Sequence, residues 1–388
     1  MGCWQGRRIN ARHGRRVSAS VTARHRRHGG LSGSRPAAPS RTVASSPLEA
    51  RRRGFSLVEL LAAIAIVGVL VALLFPAVQA ARESARRVVC QSNIRQLASG
   101  LLHYESANGR LPAATVVTEA TSPSTCSGCW NPWAEARLTS FTPGTRHGTS
   151  WILAVLPHLE QAALFMAWNR STNVLGNPAV AQADIPTLYC PTRRTGIRVG
   201  RDDQKNLPST GWRGGGTDYG GCYGRLDGFY NDTAQDHRFS DVDTPIPGSS
   251  GNRQGVFSPN VGRPLKQVLD GLAQTIMLGE LQRLRPLPAG TSAADTYNRT
   301  SHDGWAAGGV ATLFTTATDP VHSNPGGLNN LFFESPGSDH AGGGFFAMTD
   351  GSVHWIGDFV DAKDNNAVFP LLGSIRDGRV AHLATAVP

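Results

Sequence analysis

Glu59 carries the clearest chemistry in this chain, because it is a carboxylate at the rim of an otherwise apolar run. From Leu60 to Val78 there are 19 residues without a charge, and at ~1.5 Å per residue they span about the thickness of a hydrocarbon core. An ionised acid there costs at least about 2–3 kcal/mol unless a cation meets it. Glu59 therefore calls for a cationic partner.

Other residue types invite chemistry and are weaker. Ser301-His302-Asp303 are adjacent in sequence, whereas a catalytic triad is made by placement in space, so they are read as loop residues. The chain contains no H-E-x-x-H, G-x-S-x-G or P-loop pattern, and Gly214-Gly215-Gly216 lacks the strand and helix that a phosphate-binding turn needs. Cys126-Ser127-Gly128-Cys129 is a single C-x-x-C with no second pair at zinc-site spacing. The expectation is no enzymatic activity, no cofactor and no metal.

These residues need elements to hold them. Past the apolar run, Cys90, Ile94, Leu97, Leu101 and Tyr104 recur at helical spacing and form one stripe, and Asn108-Gly109 followed by Pro112 is a stop signal. One helix is predicted from Phe55 to about Asn108, roughly 80 Å long. Its residues 55–79 would lie in lipid, and residues 80–108 would present the stripe to a globular domain. Pro76 removes one backbone hydrogen bond within it, so a bend near Phe75 is expected.

Residues 109–388 are rich in glycine and proline, with short apolar runs between turn signals, which predicts a loop-rich domain dominated by β-structure. The fold class is therefore α+β. Two helices are expected there, Ser150 to Asn169 with an interruption at Pro157, and Leu265 to Leu272 behind Pro264. Gly344 to Ile356 reads as a β-hairpin turning at Asp350-Gly351 in a type I′ turn. In that turn Asp350 would occupy a position of positive φ.

Charge is divided unevenly. Residues 1–54 hold 13 arginines, no lysine and one acid, Glu49, for a net +12, while the rest of the chain nets −2 from 25 basic and 27 acidic residues. The basic character belongs to a low-complexity leader that cannot bury a core, so no nucleic-acid surface follows from it. Arg51 to Arg53 suffice to keep that end in the cytoplasm. The leader is long, Met166 is the next methionine, and a start at Val43 or Leu48 is an expectation of this reading.

Gly54-Phe55-Ser56-x-x-Glu59 followed by a long apolar helix resembles the cleavage and methylation segment of type IV prepilins and of type II secretion pseudopilins. The resemblance implies a pilin-like architecture in which a prepilin peptidase and N-methyltransferase cuts between Gly54 and Phe55 and methylates the new amine. The ammonium of Phe55 on one subunit would then neutralise Glu59 on a neighbour in lipid, where Coulomb attraction is weakly screened. A proline near Pro76 is common in pilins.

His340 and Asp350 enclose nine residues and Gly351 follows, which resembles the H-x9-D-G signature of a bacterial family of prepilin-like proteins with a globular domain of unknown function. Cys90-Gln91-Ser92-Asn93-Ile94-Arg95-Gln96-Leu97, Trp151 through Gln161, Tyr189-Cys190-Pro191, Asp218-Tyr219-Gly220, Gly255-Val256-Phe257 and Asp270-Gly271 through Glu280 are similar to that family in the same order. Leu272-Ala273-Gln274 departs from the small polar run usual there. For His340, ahead of Gly342-Gly343-Gly344, a structural hydrogen-bonding role is expected, with a divalent metal or a sugar hydroxyl as the rival contact. Cys90 and Cys190, in family-like segments, are candidates for a disulfide that clamps helix to sheet. Cys126 and Cys129 are candidates for a short-loop bridge that leaves Cys222 free, and other pairings stay open.

The expected function is that of a pilin or pseudopilin-like structural protein. It would be a single-pass inner-membrane chain with its N-terminus cytoplasmic and its C-terminal domain periplasmic or extracellular. Its partners would be the processing peptidase, other pilin-like subunits and membrane lipid, with no particular small-molecule ligand indicated. Two other classes are open. A membrane-anchored extracytoplasmic module that binds carbohydrate or another ligand would use Trp130, Trp133 or Trp212 as exposed stacking faces. A twin-arginine-exported hydrolase would be cut near Val78-Gln79-Ala80.

Overall fold

The computed structural model describes residues 54–116, 149–197, 212–225, 253–258, 261–281, 303–318, 324–330, 332, 334–379 and 381. The chain falls into two units, Met1–Ile64 and Ala65–Pro388.

Helix α1 runs from Leu57 to Asn108 and continues through Pro76. It stops as the sequence predicts: Gly109 takes φ +71° and donates its N–H to Glu105 O at 2.7 Å. The large apolar side chains from Leu57 to Phe75 are exposed, and α1 is long and apolar enough to cross a membrane. Further along, Cys90, Ile94, Leu97 and Leu101 are buried with Tyr104 packed beside them, which is the expected stripe.

Strands β1 (Thr115–Val116) and β2 (Thr149–Ser150) form a small antiparallel pair. The main sheet has five strands: β3 (Tyr219–Gly224), β4 (Ile276–Glu280), β5 (Leu313–Thr315), β6 (Gly343–Met348) and β7 (Val353–Gly357). Their order is β5-β3-β4-β6-β7, with β3 and β5 parallel and the other neighbours antiparallel. The two-residue period of β6 feeds two cores. Phe345 and Ala347 join the α1 stripe and Trp151, while Phe346 and Met348 join Phe369 and Leu372 of the helix Val368–Leu372. A long helix followed by mostly sheet and loop places the chain in the α+β class, as expected.

Local expectations were corrected in three places. The predicted Ser150–Asn169 helix is three pieces. Trp151–Val155 is capped by Ser150 Oγ, which accepts from Ile152 N–H at 3.1 Å; a 3-10 turn, Leu156–Leu159, carries Pro157; and Ala162–Ala167 follows. The break falls at Glu160, whose φ of +59° reverses the chain. Leu265–Leu272 is not a helix. It gives two 3-10 turns, Leu265–Gln267 and Leu272–Gln274, because the N–H groups of Leu269 and Asp270 are drawn to Ile375 O and Gly271 takes φ +104°.

The third correction concerns the hairpin turn. β6 and β7 pair as predicted, from Gly343↔Gly357 to Ala347↔Val353, but the loop is not type I′. Gly351 N–H donates to Met348 O at 2.9 Å and Met348 N–H donates to Ser352 O at 2.8 Å. Gly351 has φ +87°, and Asp350 is not among the described residues with positive φ. This is a three-residue loop closed by a glycine bulge.

Candidate functional site

At the start of α1, Gly54, Phe55 and Ser56 precede the helix. Ser56 N–H donates to Glu59 Oε2 at 2.9 Å, and Glu59 N–H donates to Ser56 Oγ at 3.2 Å. This reciprocal pair is a capping box that satisfies two backbone donors the helix cannot use. The bond between Gly54 and Phe55 therefore lies just outside the helix. A Cβ on Gly54 would touch nothing within 4 Å, so no contact in the described chain demands glycine there.

The second site is buried under the sheet domain. Helix α1 carries Glu83 and Cys90 on the face that continues as the apolar stripe. Opposite them come Cys190 and Thr192 after the 3-10 turn Pro186–Leu188, Glu280 at the end of β4, and His340 just before β6. His340 exposes 2% of its surface. Its Nδ1 is 2.5 Å from Glu83 Oε1 and 3.2 Å from Thr192 Oγ1. Its Nε2 is 3.5 Å from Cys190 Sγ and 3.6 Å from Glu280 Oε1. Cys90 Sγ lies 2.8 Å from Cys190 Sγ, and no disulfide bond joins them in this structure. Glu280 Oε2 accepts the N–H of Phe345 at 3.0 Å, while Oε1 is buried without a hydrogen bond.

Electrostatics follow from burial and partners. Burial pulls His340 toward its neutral form, but the Cys190 contact, the Glu280 charge and the Glu83 hydrogen bond outweigh it and push the ring up to about 9. Burial raises Glu280 from its ordinary value, only partly offset by the charge on His340. For Glu83 burial is outweighed by hydrogen bonds from His340 and Arg86, so its carboxyl falls below the usual range. Cys190 is pushed well up by its hydrogen bond with Cys90 and then by burial. Cys190, His340 and Glu83 have the outline of a nucleophilic triad. Cys190 exposes only 3% of its surface, and the Cys90 contact and burial raise its thiol.

Behind this cluster, the backbone of Cys190 is fixed by Asp218 Oδ2, which accepts its N–H at 2.9 Å. Asp218 and Asp303 flank Arg194 at 2.8 and 2.5 Å, all fully buried. Asp218 is raised, since burial exceeds the pull of Arg194 and Arg193. For Asp303 burial is outweighed by Arg194 and by the Thr217 N–H, so it falls below the usual value.

Several sequence candidates part company here. His340 and Asp350 sit at opposite ends of β6, about 17 Å of strand apart, and do not share a site. His340 belongs to the buried cluster. Asp350 serves the turn, accepting from Ser352 N–H and Oγ at 2.8 and 2.6 Å. Cys90 and Cys190 are brought together, whereas Cys222 lies in the second core, pushed up to about 12 by burial. Cys126, Cys129, Trp130, Trp133, Ser301 and His302 lie outside the described residues. Trp212 is 3% exposed, too buried to offer a stacking face. Asp303 is committed to Arg194.

Glu83 was not singled out from the sequence, and Glu280 stood there only as the end of a family-like segment. The signal available for Glu83 was its place seven residues before Cys90 on the stripe, and for Glu280 a lone acid closing an apolar strand.

Residues 79–363, well over half of the chain, match the family described as protein of unknown function (DUF1559). Residues 50–75 match the prokaryotic N-terminal methylation motif. No curated protein and no solved structure matches the chain. The methylation motif implies processing by a prepilin peptidase and packing with other pilin-like subunits, and together with the apolar helix it marks a membrane-anchored chain. The segments whose residues converge on His340, from Cys90 through Tyr189-Cys190 and Asp218 to Glu280, all fall within the larger match. The chain thus belongs to the DUF1559 family of proteins of unknown function, as a prepilin-like member bearing the N-terminal methylation motif.

Proposed function

We propose that this chain is a structural subunit of a type IV pilus or type II secretion-like assembly rather than an enzyme. The peptidase cuts between Gly54 and Phe55 and methylates the new amine. Residues 55–79 anchor the subunit in the inner membrane with the leader on the cytoplasmic side, and the sheet domain lies in the periplasm or at the cell surface. Neighbouring subunits set their stagger by pairing the Phe55 ammonium with Glu59, whose charge has no cation among the described residues near it. The observation that carries this reading is the unstructured Gly54–Phe55 step against a capped apolar helix within the methylation motif.

Mass spectrometry of the mature N-terminus tests it. The expected result is a chain that begins with N-methylated Phe55. A chain beginning at Ala81 would assign it to a signal peptidase, and one retaining Gly54 would remove it from the prepilin route.

A further inference from the structure

Four side chains that can ligate a metal meet beneath the sheet: Cys90 on α1, Cys190 on the loop before β3, Glu280 at the end of β4 and His340 ahead of β6. One donor atom from each lies within 4.8 Å of all the others, and all four residues are buried. We propose that they form a closed zinc site that fastens helix α1 to the sheet domain. Two thiolates, an imidazole and a carboxylate make a donor set suited to a borderline-soft divalent ion in tetrahedral geometry.

The spacing and one carboxylate oxygen without a hydrogen bond both favour it. Ligands about 2.0–2.3 Å from zinc stand about 3.3–3.8 Å from one another. The Cys190–His340 and His340–Glu280 donor pairs already lie at 3.5 and 3.6 Å. The sulfurs, at 2.8 Å, open by about 1 Å to share the ion. Glu280 Oε1 is a buried acceptor with no hydrogen bond, pointing at the same centre. A Cys90–Cys190 disulfide would use the sulfurs and leave that oxygen with only its 3.6 Å ion pair to His340, whereas an ion is shared by all four donors.

The surroundings are also those of a metal ligand. Glu83 holds Nδ1 of His340 at 2.5 Å and so presents Nε2 to the centre, the carboxylate–histidine arrangement that orients zinc-bound imidazoles. The Phe345 N–H fixes the other oxygen of Glu280, and Asp218 fixes the backbone of Cys190. Binding releases the protons of both thiols, and any proton on Nε2, to solvent. With four protein ligands the site has no open position for substrate, so its role is structural.

The test uses the full-length chain purified in detergent from cells supplied with Zn²⁺, without chelator or reductant. Elemental analysis is expected to find one zinc per chain. Zinc K-edge absorption on that unmodified protein is expected to show two sulfur ligands at about 2.3 Å with nitrogen and oxygen at about 2.0 Å. Glu280→Gln and His340→Gln should each lower zinc affinity at least about tenfold, and Glu83→Gln about 10- to 100-fold. Circular dichroism confirms that these variants fold; where one does not, the absorption spectrum of the unmodified chain decides alone. Absence of zinc, zinc without sulfur ligands, or a peptide linking Cys90 to Cys190 through a disulfide would each overturn the proposal.

Discussion

Glu59 has two jobs at one position, and a single substitution separates them. Its carboxylate closes the capping box with Ser56, and in the proposed assembly it also supplies the charge that meets a neighbour's amine. Glutamine completes a capping box as well but carries no charge. Glu59→Gln should therefore insert and be cut at Gly54 yet fail to incorporate into ordered assemblies, measured by fractionation and electron microscopy of sheared surface material. Incorporation at the unmodified level would leave capping as the whole role of Glu59. The charge argument is legible from one acid beside an apolar run. The cap is equally local, spelled by Ser56-x-x-Glu59, but reading the acid only as a charge passes over it.

At the scale of elements, periodicity was the reliable guide. The stripe from Cys90 to Leu101, the stop at Asn108 and the β6–β7 pairing were all legible, because each rests on repeats or turn residues a few positions apart. Leu265–Leu272 failed because its N–H groups are claimed by Ile375, a hundred residues away, and local propensity yields to tertiary pairing. The hairpin turn was found but mistyped: Gly351, and not Asp350, takes the left-handed conformation. A Cβ on Gly351 would meet Leu102 Cδ1 at 2.9 Å besides straining its φ of +87°. Gly351→Ala is expected to cost about 1–3 kcal/mol, read as a lower midpoint of thermal unfolding. Asp350→Asn keeps the side-chain acceptor for Ser352 and should stay within about 0.5 kcal/mol. Equal losses in the two variants would remove backbone conformation as the cause.

At the scale of the whole molecule, a buried ion network ties distant stretches of the domain together. Arg194 links Asp218 and Asp303, and Asp218 in turn anchors Cys190. Arg193 also pairs with Asp218, so Asp303→Asn leaves two buried arginine side chains facing one carboxylate and is expected to cost about 3–5 kcal/mol at neutral pH. The sign with pH follows from the depressed folded value of Asp303. Its contribution is fully present above the ordinary value of 3.8 and is lost as pH falls through the lower folded value. Thermal unfolding of the variant and the unmodified chain should thus converge in acid; a gap independent of pH would show that the carboxylate charge is not what Asp303 supplies. What the sequence by itself determined was everything set by neighbours along the chain: the membrane-length run, the lone acid, the processing segment and the helix stripe. Only the tertiary structure decided that His340 and Asp350 do unrelated work, and that His340 instead meets Cys90, Cys190, Glu83 and Glu280. These residues are separated by up to 257 positions, and they converge because β4 and β6 pair while α1 packs across them, a relation no local spacing encodes.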